Sequence, residues 1–233
     1  MEEYPIRINK YLALKKYSTR RGADELIERK KVFINGKLAQ LGDKVQERDV
    51  VEVRLGKTGP VQYRYYVYNK PKGVITHSPQ MGERDARTAS GLRDVFPVGR
   101  LDKNSRGLLI LTNDGRVTDR LLNPDSAHEK EYLVRTREKI RKNFKQKMEG
   151  GVDIGDHITK PCKVQILNDH AFRITLTEGK KHQIRRMVVA LFNDVTDLQR
   201  TRVMNLTLSG APEGGYREVR GEELKEFLKG VGL

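Results

Sequence analysis

The 233 residues suffice for one large or two ordinary domains, and 36% hydrophobic against 33% charged residues gives a core's worth of apolar material in a polar chain. No apolar run approaches the roughly 20 residues of a membrane span. Met1-Glu2-Glu3-Tyr4-Pro5 lacks the basic stretch and apolar block of a secretory signal, and the lone Cys162 can form no internal disulfide, which suits a reducing cytoplasm. A net charge of +15 points to a polyanionic partner, of which nucleic acid is the commonest.

Up to about Leu55 the pattern predicts a compact αβ module. Ile8, Tyr11 and Leu12 have helical spacing. A second helix, capped by Ser18 or Thr19, runs through Ala23, Leu26 and Ile27. Val32 and Ile34 alternate ahead of Asn35-Gly36, a strong hairpin signal. Gly42-Asp43 marks another turn, and Val50–Val53 closes the module as a strand. Gly56-Lys57-Thr58-Gly59-Pro60 reads as a linker.

Beyond the linker, strand-like runs recur at Tyr65–Tyr68, Leu108–Leu111, Tyr132–Val134, Cys162–Leu167, Phe172–Leu176 and Met204–Leu208. Helical patterns fall between and after them. Ile140, Phe144 and Met148 form one, ended by Gly150-Gly151. Ile184, Met187, Val188 and Leu191 form a second, and Leu224, Phe227 and Leu228 a third. Strands and helices do not alternate strictly, so the expected class is α+β with a largely antiparallel sheet flanked by helices.

Several chemistries lack support. His77, His128, His157, His170 and His182 are scattered, and one cysteine allows no zinc cluster of common spacing, so no metal site is expected. The glycine-rich phosphate loop, the dinucleotide fingerprint and the Gly-x-Ser-x-Gly elbow are missing.

Three segments remain. In Gly99-Arg100-Leu101-Asp102-Lys103-Asn104-Ser105-Arg106-Gly107, one carboxylate lies in a glycine-bounded turn ahead of the apolar run Leu108–Leu111. Between Arg100 and Lys103, Asp102 would be held ionised as a nucleophile or base. Taken alone, it reads as well as a turn aspartate bonded to its own backbone. In His128–Val134, alternation puts Lys130, Tyr132 and Val134 on one face, where Tyr132 could line a pocket and stack on a base. In Lys181–Met187, helical spacing sets Arg185 on the flank of the apolar stripe. There a guanidinium needs a carboxylate, and Asp102 is the candidate. Arg186 faces a more polar side and is expected to meet phosphate or solvent.

The ordered set Gly-Arg-Leu-Asp, Lys-x-Tyr-x-Val and Gln-Ile-Arg-Arg-Met resembles the RNA pseudouridine synthases. Asn113-Asp114-Gly115 and Arg200-Thr201-Arg202-Val203-Met204-Asn205 extend the likeness over nearly the whole chain. The first segment resembles the ribosomal-protein "S four" type RNA-binding domain, through Arg7–Leu12, Ser18–Arg21, Val32–Lys37 and Gly42-Asp43. It departs from that family at Lys16 and Lys30, where glycine is usual. Together the two resemblances point to the RsuA branch, and within it to large-subunit rRNA enzymes. His182 stands where that branch commonly has Arg or Asn, which implies an altered RNA contact.

The resemblance implies a division into an RNA-binding domain, 1–58, and a synthase domain, 64–233. It implies catalytic roles for Asp102, Tyr132 and Arg185, substrate contacts from Arg100, Leu208, Lys130 and Arg186, and RNA contacts from Arg7, Lys10, Arg20, Arg21 and Lys37. The reaction turns uridine into its isomer, so no redox cofactor, ATP or metal is needed. The implied partner is ribosomal RNA and the implied form a cytoplasmic monomer with no membrane contact. A tRNA-directed synthase and a non-catalytic rRNA-binding or ribosome-assembly protein are the alternatives.

Overall fold

A computed structural model describes residues 4–15, 17–18, 20–54 and 62–233, apart from the side chains of Arg21 and Pro124. The chain divides into two compact units, Met1–Tyr63 with Asn113–Arg116, and Arg64–Thr112 with Val117–Leu233. No helix among the described residues is long and apolar enough to cross a membrane.

The smaller unit contains β1 (Ile6–Arg7), α1 (Ile8–Leu14), α2 (Arg20–Glu28), β2 (Val32–Ile34), β3 (Lys37–Leu38), β4 (Lys44–Val45) and β5 (Val51–Val53). The helical stripes seen in the sequence form its core: Ile8 and Leu12 of α1 and Ala23 and Ile27 of α2 pack with Val32, Ala39 and Val45. The hairpin stands where Asn35-Gly36 places it. Both residues have positive φ, +50° and +75°, as the tight turn between β2 and β3 requires. The Asn35 amide donates to Asp49 at 2.8 Å, and its oxygen accepts from the Val50 N–H at 2.9 Å, fixing the turn to the start of β5. Arg7, Lys10, Arg20 and Lys37 are exposed. The Thr19 cap, the Gly56–Pro60 linker and the Arg21 side chain lie outside the described residues.

The rest of the chain runs β6 (Tyr65–Lys70), α3 (Ala86–Ser90), β7 (Phe96–Val98), β8 (Arg106–Thr112), α4 (Gly115–Leu121), β9 (Lys130–Thr136), α5 (Phe144–Glu149), β10 (Lys163–Asn168), β11 (Ala171–Leu176), α6 (Gln183–Ala190), β12 (Val195–Val203), β13 (Leu206–Thr207), β14 (Tyr216–Glu218) and α7 (Gly221–Gly230). Nine strands form one mixed sheet in the order β10-β11-β9-β12-β8-β6-β14, with β13 paired to β12 and β7 to β8. Every pairing is antiparallel except β12 with β8. The class is the expected α+β.

Two apolar clusters flank this sheet. In one, α5 and α6 lay Phe144, Met148, Ile184, Met187 and Val188 on Val134, Phe172, Ile174 and Leu198. The other gathers Tyr66, Tyr68, Leu109 and Leu111 with Ala86 of α3 and Leu101. Tyr132 of β9 packs against both clusters.

Two expected elements differ. The strand expected at Met204–Leu208 is broken by a tight turn at Met204, φ +53°, which folds β13 back onto β12. The helix expected from Ile140 starts only at Phe144, because the Ile140 N–H is held in a loop by the Asp169 carbonyl at 2.7 Å.

The sheet opens where Asp102 sits. One edge of β8 carries β6 along Gly107–Thr112. The other edge is shared: β7 pairs with Ile110–Thr112 and β12 with Arg106 and Gly107. Residues 99–105 form the connection that leaves β7 and returns to β8 at this division. Gly107 is what lets β12 close in beside it. With φ +104°, it faces the Arg200 backbone so closely that a Cβ would lie 2.8 Å from the Arg200 nitrogen and strike its carbonyl oxygen.

Candidate active site

The Asp102 loop is tied down on each side of the carboxylate. The Thr76 hydroxyl donates to the Leu101 carbonyl at 2.6 Å and accepts from the Leu101 N–H at 2.9 Å. Beyond Asp102, the Ser105 N–H returns to the Asp102 carbonyl at 3.0 Å, and Gly73 donates to the Lys103 carbonyl at 2.9 Å. Leu101 is buried while the Asp102 side chain keeps 39% of its surface exposed. A buried hydrophobe beside a half-exposed acid fixes the backbone and leaves the carboxylate accessible.

Two buried cations lie under this loop, and neither was singled out as a site residue in the sequence. Arg200 of β12 stands between Tyr132 of β9 and Gly107 of β8 in the sheet register. Its Nε donates to the Leu108 carbonyl at 2.7 Å and its Nη1 to the Arg100 carbonyl at 3.3 Å. It therefore fills the place where β7 and β12 part and holds the loop from below. Lys70, at the end of β6, is fully buried, and its ammonium donates to the Val74 and Pro71 carbonyls at 2.6 and 3.0 Å. Burial pushes its pKa down to about 8; the Asp102 charge opposes that fall and Arg200 adds to it.

His182 faces the Asp102 carboxylate, with Nε2 3.5 Å from Oδ1. Neither Arg100 nor Lys103 pairs with it: Arg100 is exposed, and Lys103 pairs with Glu83 at 2.9 Å. His182 has φ +52° and directly precedes α6. The turn that presents it is held by Glu178, which accepts from the Lys160 N–H at 2.9 Å, from Gln183 at 2.6 Å and from His157 at 3.1 Å. Burial alone would raise the Glu178 pKa, but these three donors bring it below the usual carboxylate range.

Two expectations for α6 are corrected. Arg185 does not pair with Asp102. Its guanidinium donates to the Asn104 carbonyl at 3.0 Å and to the Val195 carbonyl at 3.2 Å. Two carbonyls offset the cost of sheltering this planar group without a carboxylate, and one of them belongs to the Asp102 loop itself. Arg186 does not face open solvent. It pairs with Asp156 and donates to the Ile154 carbonyl, because residues 154–156 curl against the side of α6 that the helical spacing left polar.

The remaining candidates fall into place around the loop and β9. Tyr132 is half-buried against the cluster that contains Leu101. Lys130, on the same strand face, donates to the His128 carbonyl at 3.2 Å, and burial followed by the Arg200 charge lowers its pKa. Leu208 follows β13 and is half-buried. His182, read from the sequence as an altered RNA contact, stands instead against the Asp102 carboxylate. Lys70 could have been noticed as a cation ending a strand and followed by Pro71. Arg200 sits in a polar strand with no apolar alternation to reveal it.

The structure thus brings together a half-exposed carboxylate on a pinned loop, a tyrosine packed against the cluster that holds Leu101, and an arginine from α6 bonded to the same loop. The family model of RNA pseudouridylate synthase matches residues 64–190, and that of the S4 domain matches residues 6–51. The chain belongs to the RNA pseudouridylate synthase family. The dual-specificity RNA pseudouridine synthase RluF of Escherichia coli (strain K12) is 41% identical over 229 residues, covering 96% of this chain and 79% of RluF. Ribosomal large subunit pseudouridine synthase B of Bacillus subtilis (strain 168) is 32% identical, covering 95% of both chains. A crystal structure of a pseudouridylate synthase aligns with a TM-score of 0.70 at 27% identity, over 95% of this chain and 99% of that one. The synthase isomerises uridine in RNA and, with its S4 domain, falls in the RsuA branch.

Proposed function

We propose that this synthase converts uridine to pseudouridine in large-subunit ribosomal RNA, with Asp102 as its catalytic carboxylate. The observation that carries the residue assignment is the Asp102 loop: it is pinned from both sides and from below, yet its carboxylate stays accessible. The names of the relatives support the RNA class, one being a ribosomal large-subunit enzyme. RluF is called dual-specificity, which favours a second RNA, and tRNA is the alternative for this chain.

In the reaction, the bond between C1′ and N1 breaks, the uracil turns, and C1′ bonds to C5. The C5 proton leaves and N1 gains one, so nothing is oxidised or reduced. Asp102 attacks the nucleoside or assists formation of a glycal. Tyr132 stacks on the extracted base and helps remove the C5 proton. Arg185 acts on the carboxylate through the Asn104 carbonyl as a positioning residue. Arg100, exposed at the mouth of the loop, contacts the backbone or fills the space left by the flipped nucleotide, and Lys130, Leu208 and Arg186 line the substrate's path. Extracting a base costs a few kcal/mol, which phosphate contacts offset.

The domain at 1–58 supplies affinity through Arg7, Lys10, Arg20, Arg21 and Lys37, and the domain at 64–233 supplies chemistry. The protein works as a cytoplasmic monomer.

The test is Asp102→Asn, a near-isosteric change that removes the anionic oxygen. Unmodified transcripts of both ribosomal RNAs and of tRNA are incubated with each form, and pseudouridine is mapped chemically. Wild type forms product in the large-subunit transcript; Asp102→Asn binds it with near-normal affinity and forms none. Product from Asp102→Asn overturns the assignment, and modification confined to another RNA overturns the target.

A further inference from the structure

Phe192 is 74% exposed, and it occupies a backbone position that helices ordinarily give to glycine. After the last turn of α6, the Phe192 N–H bonds the Val189 carbonyl at 2.9 Å and the Asn193 N–H bonds the Val188 carbonyl at 3.1 Å. That pair of bonds requires a left-handed residue between Leu191 and Asn193, and Phe192 has φ +61°. A bulky residue in this conformation is strained. Here its ring is in water, so core packing does not repay the strain.

The surroundings say what the ring meets. Asn193 locks the turn to the segment before α5: its oxygen accepts from the Glu138 N–H at 2.9 Å and its amide donates to the Glu138 carbonyl at 2.8 Å. The Arg137 N–H adds a bond to the Asp194 carbonyl at 2.9 Å. That segment and the start of α5 make the most basic stretch of the chain, with six Lys and Arg against one Glu in residues 137–147. Arg137 pairs with Asp194, Lys139 with Asp169 and Lys145 with Glu149, which leaves Arg141, Lys142 and Lys147 as the cationic flank. Arg141 from it lies over the Phe192 ring, 5.5 Å from the centroid. An exposed aromatic, a guanidinium on its face and a rigid basic flank are the components of a stacking surface for single-stranded RNA.

We propose that Phe192, with Arg141 on its ring, stacks a nucleobase of single-stranded RNA a few nucleotides from the target uridine. The inference rests on the Asp102 end of α6 being the site of isomerisation. His182 and Phe192 bracket that helix, about 15 Å apart along its axis at 1.5 Å per residue. The stacked base is therefore a few nucleotides from the uridine, on the strand that crosses α6. Charge favours RNA over a protein partner, because the flank is cationic while the apolar exposure is a single ring with Val189 beside it.

The chain has no tryptophan, so Phe192→Trp installs a unique fluorophore at the platform. Its emission is expected to be quenched by a large-subunit rRNA transcript and by a short oligouridylate. Ile166→Trp, an exposed position on β10, serves as the control and is expected to stay bright. In parallel, Phe192→Gly relieves the left-handed strain and removes the ring. Its melting temperature should hold or rise, while KM for the transcript rises at least about fivefold, the lower end of what one lost base stack costs. Phe192→Tyr should restore KM. Quenching no greater than at the control, or a Phe192→Gly KM equal to wild type, overturns the platform. So does a KM defect accompanied by a lower melting temperature, which marks a structural role, or a defect seen only in association with a protein. Quenching is read from binding alone. A synthase that turns over the transcript without quenching refutes the platform; a chain that is quenched but modifies no ribosomal RNA refutes the proposed target.

Discussion

Asp197 offers a direct test of how the site is held together. This β12 carboxylate receives Arg106 through Nε at 3.1 Å and Nη2 at 2.8 Å, and Lys72 at 2.7 Å, with only 13% of its side chain exposed. Burial pushes its pKa up, but the hydrogen bonds and charges of Arg106 and Lys72 prevail and bring it from 3.8 to about 2. At 1.36 kcal/mol per pKa unit, the pairs add about 2 kcal/mol to folding at neutral pH. The folded pKa lies below the unfolded one, so this stabilisation is complete above about pH 5 and fades as the pH falls through 4 towards 2. Asp197→Asn should therefore lower the stability of the synthase domain by about 2 kcal/mol at pH 7, with the gap to wild type narrowing steadily below pH 4. Calorimetric melts from pH 7 down to pH 3 measure it. A gap that stays constant over that range would refute the electrostatic account, and no gap at all would mean the pairs contribute nothing. Because Arg106 ends the Asp102 loop, turnover should fall in the same variant.

Two further outcomes test the site and the domain division. Arg185→Lys keeps the charge but loses the planar fork that spans the Asn104 and Val195 carbonyls, so kcat should drop by an order of magnitude or more with little change in KM. His182→Asn breaks only a surface pair worth up to about 1 kcal/mol and should cost no more than about fivefold; equal losses at the two positions would show that His182, not the loop contact of Arg185, governs the carboxylate. Deleting residues 1–58 should weaken RNA binding and its salt dependence while leaving slow turnover at high RNA concentration. A folded, RNA-saturated truncation with no turnover would refute that division.

Much of the fold was legible because its helices and outer strands bury one face, while β8 is buried on both and reads as a continuous apolar run. The alternation in Val32–Ile34 and the run at Leu108–Leu111 signalled β2 and β8. The stripe Ile184, Met187, Val188 signalled α6, whose buried apolar residues are those. The short elements α3, α4, β7 and β14 escaped, and so did β12, which matters most for the site. Its nine residues, Val195–Val203, are mostly polar, because this strand is stabilised by ladders on both edges and by ion pairs rather than by an apolar face. Missing β12 meant missing Asp197 and the place of Arg200, which the sequence offered only as part of a motif. The glycine-bounded turn that carries Asp102 was legible, but what faces its carboxylate was not. Helical spacing locates Arg185 on a face; it does not say whether a carbonyl or a carboxylate waits opposite, and here two carbonyls do.

The placement of charge around Asp102 follows from those carbonyls. Lys70, Arg200 and Arg185 could each have clamped the carboxylate, and each donates to backbone oxygens instead. A tight bidentate arginine would satisfy the carboxylate's oxygens and leave none for substrate. Arg200 and Arg185 bond to the loop's backbone and fix where Asp102 stands, while Lys70, bonded to Pro71 and Val74, acts on the carboxylate through space. Among the described residues only His182, 3.5 Å away and 49% exposed, meets the carboxylate directly, and water screens that contact. When RNA covers the site the screening falls and the same charges act more strongly, at the moment the carboxylate is needed. In the proposed reaction, the backbone bonds therefore set the position of Asp102, and the arriving uridine completes its environment.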